Sequence, residues 1–209
     1  MCYNAIMANT TVGRISAIVL AGGQSRRLGQ DKSLLLVEGR PLLARTVDRL
    51  AALSDDLVVV TNALERYEDL ALPARLVPDE QPGLGALMGV YSGLKEVRHS
   101  HALAVACDMP FLNLPLLRYM ASLAGEYDVV IPRLDDLLEP LHAIYGRSCL
   151  PAMEERLAQG RRRIVGFYGA VRVRYVDRPE IERFDPEHLS FLNVNTPDDW
   201  ERVRALLAG

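Results

Sequence analysis

Cysteine is scarce, and its placing excludes as much as its number: Cys2, Cys107 and Cys149 are odd in count and far apart, so they build neither a disulfide framework nor a Cys-x-x-Cys metal pair. A reducing compartment suits them, and the cytoplasm is the expected location. Long apolar runs are also missing: no stretch approaches the ~20 residues that cross a bilayer, and Met1 to Gly13 lacks the charged start and apolar segment of a leader. No membrane partner is expected, and 1–13 reads as a flexible arm ahead of a single domain over 14–209. Charge of one sign is lacking as well: 24 basic and 27 acidic residues are interspersed, net −3, which gives no overall electrostatic case for nucleic acid. Any cationic site must be local.

One such site stands out. The apolar run Ile15 to Leu20 leads into Ala21-Gly22-Gly23-Gln24-Ser25-Arg26-Arg27-Leu28-Gly29-Gln30-Asp31-Lys32, which describes a strand ending in a loop suited to phosphate. Glycines let backbone N–H groups approach an anion without an intervening Cβ, and Arg26, Arg27 and Lys32 offset its charge. It is not a Walker loop, because the spacing from Gly23 through Gly29 to Lys32 is wrong, and the dinucleotide fingerprint GxGxxG is absent too.

The rest of the chain alternates strand and helix. Leu34 to Val37 reads as extended, with a turn at Glu38-Gly39; a helix follows from Pro41 to Leu53, with Pro41 in its first turn. Leu57 to Val60 is an unbroken apolar strand of the kind buried on both faces of a parallel sheet. It ends at Thr61-Asn62, beside the first loop. A short helix near Leu64 to Leu70 and a strand Arg75 to Pro78 deliver Asp79, which serves equally well as a turn former or as a ligand contact at a strand's carboxyl end. Gln81 to Gly89 is glycine-rich and feeds a helix to about Arg98; its glycines suit either close approach to a flat ligand or tight helix packing. The small apolar strand Ala102 to Cys107 delivers Asp108, a carboxylate at a buried strand tip that suits Mg²⁺ or a structural role.

Beyond a helix from Pro115 to Leu123 and a strand over 128–132, the rhythm changes. Ala143 to Tyr145 reads as a strand, Cys149 to Gln159 as a helix, and Val171 to Val176 as a half-exposed edge strand. His142 reads as an ordinary strand histidine. Arg161-Arg162-Arg163 is a solvated face or an anion clamp. Near the end, Thr196 caps a last helix with Pro197 at its first position, while Asn193 and Asn195 project the same way from an extended segment and can grip phosphate or a heterocycle edge. With 49% hydrophobic content in 209 residues, the expected fold is α/β: a three-layer α/β/α sandwich on a mostly parallel twisted sheet.

Taken in order, the loop from Leu20 to Lys32, Asp79 before a glycine-rich helix start, Cys107-Asp108-Met109-Pro110 and Asn193-Val194-Asn195-Thr196-Pro197 resemble the molybdenum cofactor guanylyltransferases. The resemblance runs from Ile15 to the C-terminus. It implies a nucleotide-diphospho-sugar-transferase type fold in which GTP and Mg²⁺ convert molybdopterin to its guanine dinucleotide. By the same resemblance Leu20, Ala21, Gly22, Gly23, Lys32, Asp79 and Asp108 face GTP, and Asp108 holds Mg²⁺. The family's asparagine after the second strand falls at Thr61, with Asn62 next to it. Arg27, Arg163, Asn193 and Asn195 belong to the molybdopterin side. Asp108, Lys32 and Arg27 are the expected catalytic residues, and molybdoenzyme proteins that supply or accept the cofactor are expected as transient partners. The chain departs from the family's GPLAG at Gly85-Ala86-Leu87-Met88-Gly89, which bears on guanine selectivity. A molybdopterin cytidylyltransferase or sugar-phosphate nucleotidyltransferase is the near alternative, although the cytidylyl enzymes carry Ala-Ala-Gly where this loop has Gly22-Gly23. A noncatalytic GTP-binding adaptor is the alternative of another class.

Overall fold

A computed structural model describes residues 14–22 and 31–208. The expected N-terminal arm, Gly23 and Arg27 lie outside the described residues. The strands are β1 (Ser16–Leu20), β2 (Leu36–Val37), β3 (Arg40–Pro41), β4 (Leu57–Val60), β5 (Arg75–Val77), β6 (His101–Ala106), β7 (Val129–Leu134), β8 (Leu137–Leu138), β9 (His142–Gly146) and β10 (Val173–Asp177). The helices are α1 (Leu42–Ala51), α2 (Ala86–Glu96), α3 (Leu114–Leu123), α4 (Leu150–Ala158), α5 (Arg178–Ile181) and α6 (Pro197–Ala208).

The main sheet runs β10-β7-β9-β6-β1-β4-β5, with β8 attached to β7. β5, β4, β1 and β6 are mutually parallel, as are β7 and β10, whereas β9 runs antiparallel to both β6 and β7. Successive residues of a strand point to opposite faces, and β1 divides accordingly. Ala17 and Val19 join a core with Leu43, Val47 and Leu50 of α1 and Leu116, Leu117 and Met120 of α3. Ile18 joins a second core with Leu87, Val90 and Leu94 of α2 and Met153 of α4. Helices thus cover both faces, the expected three-layer arrangement.

Three local expectations are corrected. The extended piece from Leu34 begins instead as a 3₁₀ turn, Lys32–Leu34, because the Asp31 carboxylate accepts from the Ser33 backbone N–H at 3.1 Å and caps it. Pro41 is not in the first turn of α1 but just before it, paired with Leu36 in the β2–β3 hairpin. The helix expected over 64–70 is two 3₁₀ turns, Leu64–Arg66 and Glu68–Leu70. Tyr67 between them is buried and its hydroxyl bonds Ser33 at 2.9 Å, which turns the chain inward where a helix would carry it past.

Chain order sets the site. From β1 the chain builds outward to β4 and β5 on one side and then crosses to β6 on the other, so the carboxyl ends of β1 and β6 flank the switch point where open α/β sheets collect ligands.

Candidate active site

Backbone hydrogen bonds stitch the four parallel strand tips together. The Ala21 N–H donates to the Val60 carbonyl at 2.9 Å, the Cys107 N–H to Leu20 at 3.2 Å, and the Thr61 N–H to Val77 at 2.9 Å. Above this floor lies a cavity of about 660 Å³, a volume suited to a nucleotide. Leu20, Ala21, Gly22, Lys32, Thr61, Asn62, Asp79 and Asp108 all line it, so every described residue expected to face GTP converges there.

The second glycine segment serves both of the uses open to it. Gly83 and Gly85 line the cavity at φ +85 and +82, conformations that side chains rarely adopt. Gly93 instead packs: a Cβ there would sit 2.7 Å from Cγ2 of Ile18, and one at Gly89 would sit 3.1 Å from Cδ2 of Leu20. Of the two departures from GPLAG, Met88 is 2% exposed within the core, whereas Ala86 lines the cavity. Of the two, only Ala86 faces the cavity.

Asp108 is buried at the tip following β6, and the Lys32 ammonium donates to its Oδ2. Its Oδ1 is buried and has no hydrogen-bond partner among the described residues. Lys32 also donates to Oδ1 of Asn195 at 3.2 Å, across 163 positions of sequence. A backbone bond from the Val194 N–H to the Asp108 carbonyl, 3.0 Å, holds the two segments together. The neighbouring Cys107 is buried, and burial pushes its thiol up to about 12, which leaves it a neutral thiol and no nucleophile at neutral pH.

Sequence reading missed what holds Lys32. Asp31 accepts from the Ser33 hydroxyl at 2.6 Å, from the Tyr67 hydroxyl at 3.1 Å and from Arg66 at 3.3 Å. Burial would raise its carboxyl, but these bonds outweigh burial and hold it below its ordinary value. The Asp-x-Ser capping pattern at Asp31 to Ser33 was the available signal; nothing in the sequence pointed to Tyr67 or to Arg66, which also lines the cavity.

At the other end, Thr61 is 2% exposed and its hydroxyl accepts from the Ala63 N–H at 3.1 Å, whereas Asn62 is exposed and accepts from the Asp79 N–H at 3.3 Å. Both residues line the cavity, but only Asn62 is exposed there. Burial raises the Asp79 carboxyl, although hydrogen bonds from Ser92, the Gln81 backbone and Asn62 draw it down.

None of the three described residues expected on the acceptor side, Arg163, Asn193 and Asn195, is among the cavity-lining residues, and only Asn195 touches one, through Lys32. Asn193 turns its amide back to the Phe191 carbonyl at 3.3 Å, and Arg163 is exposed ahead of the 3₁₀ helix Ile164–Ala170. The adjacent Arg162 is the one that reaches the glycine loop, donating to the Gly83 carbonyl at 3.3 Å. His142 is wholly buried, its ring edge-on to Phe191 at 5.0 Å between centroids, in keeping with a strand histidine.

A mostly parallel sheet flanked by helices, with a cation and a carboxylate meeting above a glycine floor, defines a nucleotidyltransferase class of site, and comparison with known proteins places it further. The family model described as "MobA-like NTP transferase domain" matches residues 17–173. A probable molybdenum cofactor guanylyltransferase of Pelotomaculum thermopropionicum is 37% identical over 91% of this chain and 92% of its own length. Another from Chloroflexus aggregans is 41% identical over 92% and 95%. The crystal structure of the molybdopterin-guanine dinucleotide biosynthesis protein A of Archaeoglobus fulgidus superposes with a TM-score of 0.81 at 28% identity, covering 93% of this chain and 99% of that one. The chain belongs to the MobA-like NTP transferases and, among them, to the molybdenum cofactor guanylyltransferase family.

Proposed function

We propose that this protein transfers GMP from GTP to the terminal phosphate of molybdopterin, forming the guanine dinucleotide and releasing pyrophosphate. The observation that carries this reading, beside family membership, is that Lys32 and Asp108 meet in the lining of the nucleotide cavity while Lys32 also bonds Asn195 of the acceptor-side segment.

The chemistry needs no side-chain nucleophile. The attacking phosphate oxygen of molybdopterin is already anionic; it forms a new bond to the α-phosphorus of GTP as the bond from that phosphorus to the bridging oxygen breaks, and pyrophosphate departs. Rate then depends on holding the two phosphates in line and on neutralising charge. In this reading Ala21 and Gly22 offer the backbone beneath the nucleotide, Asn62 and Asp79 hold its base and ribose end, and Lys32 serves the phosphates. Phosphate arriving in the cavity competes with Asp108 for the Lys32 ammonium, and Asn195 keeps that ammonium within reach of both substrates. Arg27, in the loop outside the described residues, is assigned the space between the substrates. Arg163 and Asn193 are assigned to the acceptor's approach from outside the cavity.

The donor set suits Mg²⁺. Asp108 presents a buried oxygen with no hydrogen-bond partner among the described residues, and no cluster of three or more His, Cys, Asp or Glu is found among them. One carboxylate completed by substrate phosphates and water is the usual protein share for this ion. Bound there, Mg²⁺ supplies neutralisation of the phosphate oxygens.

Pyrophosphate release from GTP with molybdopterin and Mg²⁺ tests the reading. Release is expected with GTP and not with CTP or ATP. Preference for CTP would transfer the chain to the cytidylyl reaction, and GTP binding without any pyrophosphate would favour an adaptor that only delivers cofactor.

A further inference from the structure

Ser92 sits in the middle of α2, 2% exposed, outside every motif read from the sequence. A helical serine commonly bonds back to the carbonyl one turn earlier. Here the hydroxyl's single proton is committed elsewhere: Ser92 Oγ donates to Oδ1 of Asp79 at 3.1 Å and accepts from the Glu80 N–H at 3.0 Å. Asp79 lines the nucleotide cavity, and its backbone N–H is held in turn by Asn62 at 3.3 Å. The serine therefore bonds both the carboxylate and the backbone that follows it, fixing the direction in which Asp79 faces the cavity.

The support behind Ser92 is stiff. Gly89 and Gly93 lie on either side of it along α2 and bring the helix against Leu20 and Ile18 of β1, with a Cβ at Gly93 meeting Ile18 at 2.7 Å. α2 cannot slide toward the sheet, so the hydroxyl stands at a fixed height beneath Asp79. We propose that Ser92 is a positioning residue for nucleotide binding: it holds the Asp79 carboxylate where it lines the cavity, to accept from N–H or O–H donors of the bound nucleoside. The inference rests on the reading of Asp79 as a nucleotide contact.

The test is a double-mutant cycle in the full chain, reading the GTP dissociation constant by titration calorimetry together with kcat for pyrophosphate release. S92A is expected to weaken GTP binding about tenfold while changing kcat less than about twofold, the pattern of lost uniform binding. In a D79A background the same substitution is expected to have no further effect, since the group it acts through is gone. S92C, with a slightly larger side chain and a weak donor, gives the same pattern in smaller measure if S92A folds poorly. Equal weakening by S92A with and without Asp79, or no weakening at all, overturns the role of Ser92 while leaving Asp79 as a contact. If D79A itself leaves GTP binding unchanged, the nucleotide assignment of Asp79 fails, and the role of Ser92 falls with it.

Discussion

Two carboxylates stand at opposite edges of the same sheet and meet opposite fates. At the amino edge, Asp56 just before β4 is 1% exposed and fully engaged: it accepts from the Ser16 hydroxyl at 2.6 Å, the Arg98 N–H at 2.7 Å, and the Arg75 and Arg98 guanidinium groups at 3.0 Å each. Burial opposes its charge, but those donors outweigh burial and hold its carboxyl at about 2. At the carboxyl edge, Asp108 is comparably buried, yet it has one lysine on one oxygen and no hydrogen-bond partner on the other among the described residues. A buried polar group left unsatisfied costs stability. One edge ties the strands together, and the other leaves a carboxylate oxygen without a partner among the described residues, the oxygen proposed above to meet a ligand.

Substitutions sharpen the contrast. The largest effect is expected from Lys32→Ala, which should lower kcat/KM about 10²- to 10³-fold, about 3–4 kcal/mol of transition-state stabilisation, with a smaller loss of stability from leaving Asp108 without its lysine. A matching fall in stability would mean that the carboxyl edge is structural after all. Next comes the sheet interior. Burial depresses the His142 imidazole to about 4, with the Asp185 charge offsetting only part of that effect. Because the native state resists the proton that the unfolded chain accepts near 6.5, stability should fall as pH drops from about 6.5 to 4, by about 3 kcal/mol in all. Denaturant midpoints across that window should show the slope, and His142→Leu should flatten it.

Asp56→Ala reverses the Lys32 pattern: about 2–3 kcal/mol of stability lost near neutral pH with catalysis by the remaining folded protein unchanged. The carboxyl of Asp56 is depressed in the native state, so its contribution is full above about 4 and disappears as pH falls toward 2; the variant should lack that acid-side decline. The smallest effect is expected from Gly93→Ala, about 1–2 kcal/mol from crowding Ile18 beneath the cavity, read as a lower denaturant midpoint.

Much of the fold was legible because strands buried on both faces leave apolar runs, unbroken at Leu57 to Val60 and Ala102 to Cys107 and interrupted only by Ser16 at Ile15 to Leu20. Direction was not legible: His142–Gly146 reads equally well either way, and only its pairing with Val105 through His101 makes it antiparallel. The residues at the strand tips were visible for a related reason, since loops that follow apolar runs end at one edge of a parallel sheet. What stayed hidden were partnerships across distance. Tyr67 reaches Asp31 over 36 positions and Ser92 reaches Asp79 from the next helix, and neither residue type signals that duty by itself. That Thr61 is buried and Asn62 exposed was hidden too, since two adjacent polar residues do not reveal their burial until the strand's end is fixed.

Asp108 is proposed to keep for catalysis the oxygen that has no partner among the described residues, so the most direct measurement is pyrophosphate release by Asp108→Ala with GTP, molybdopterin and Mg²⁺, alongside its melting temperature. The expected result is loss of turnover by at least about 10³-fold in a protein that melts at or above the wild-type temperature. Turnover near the wild-type rate would contradict the assignment.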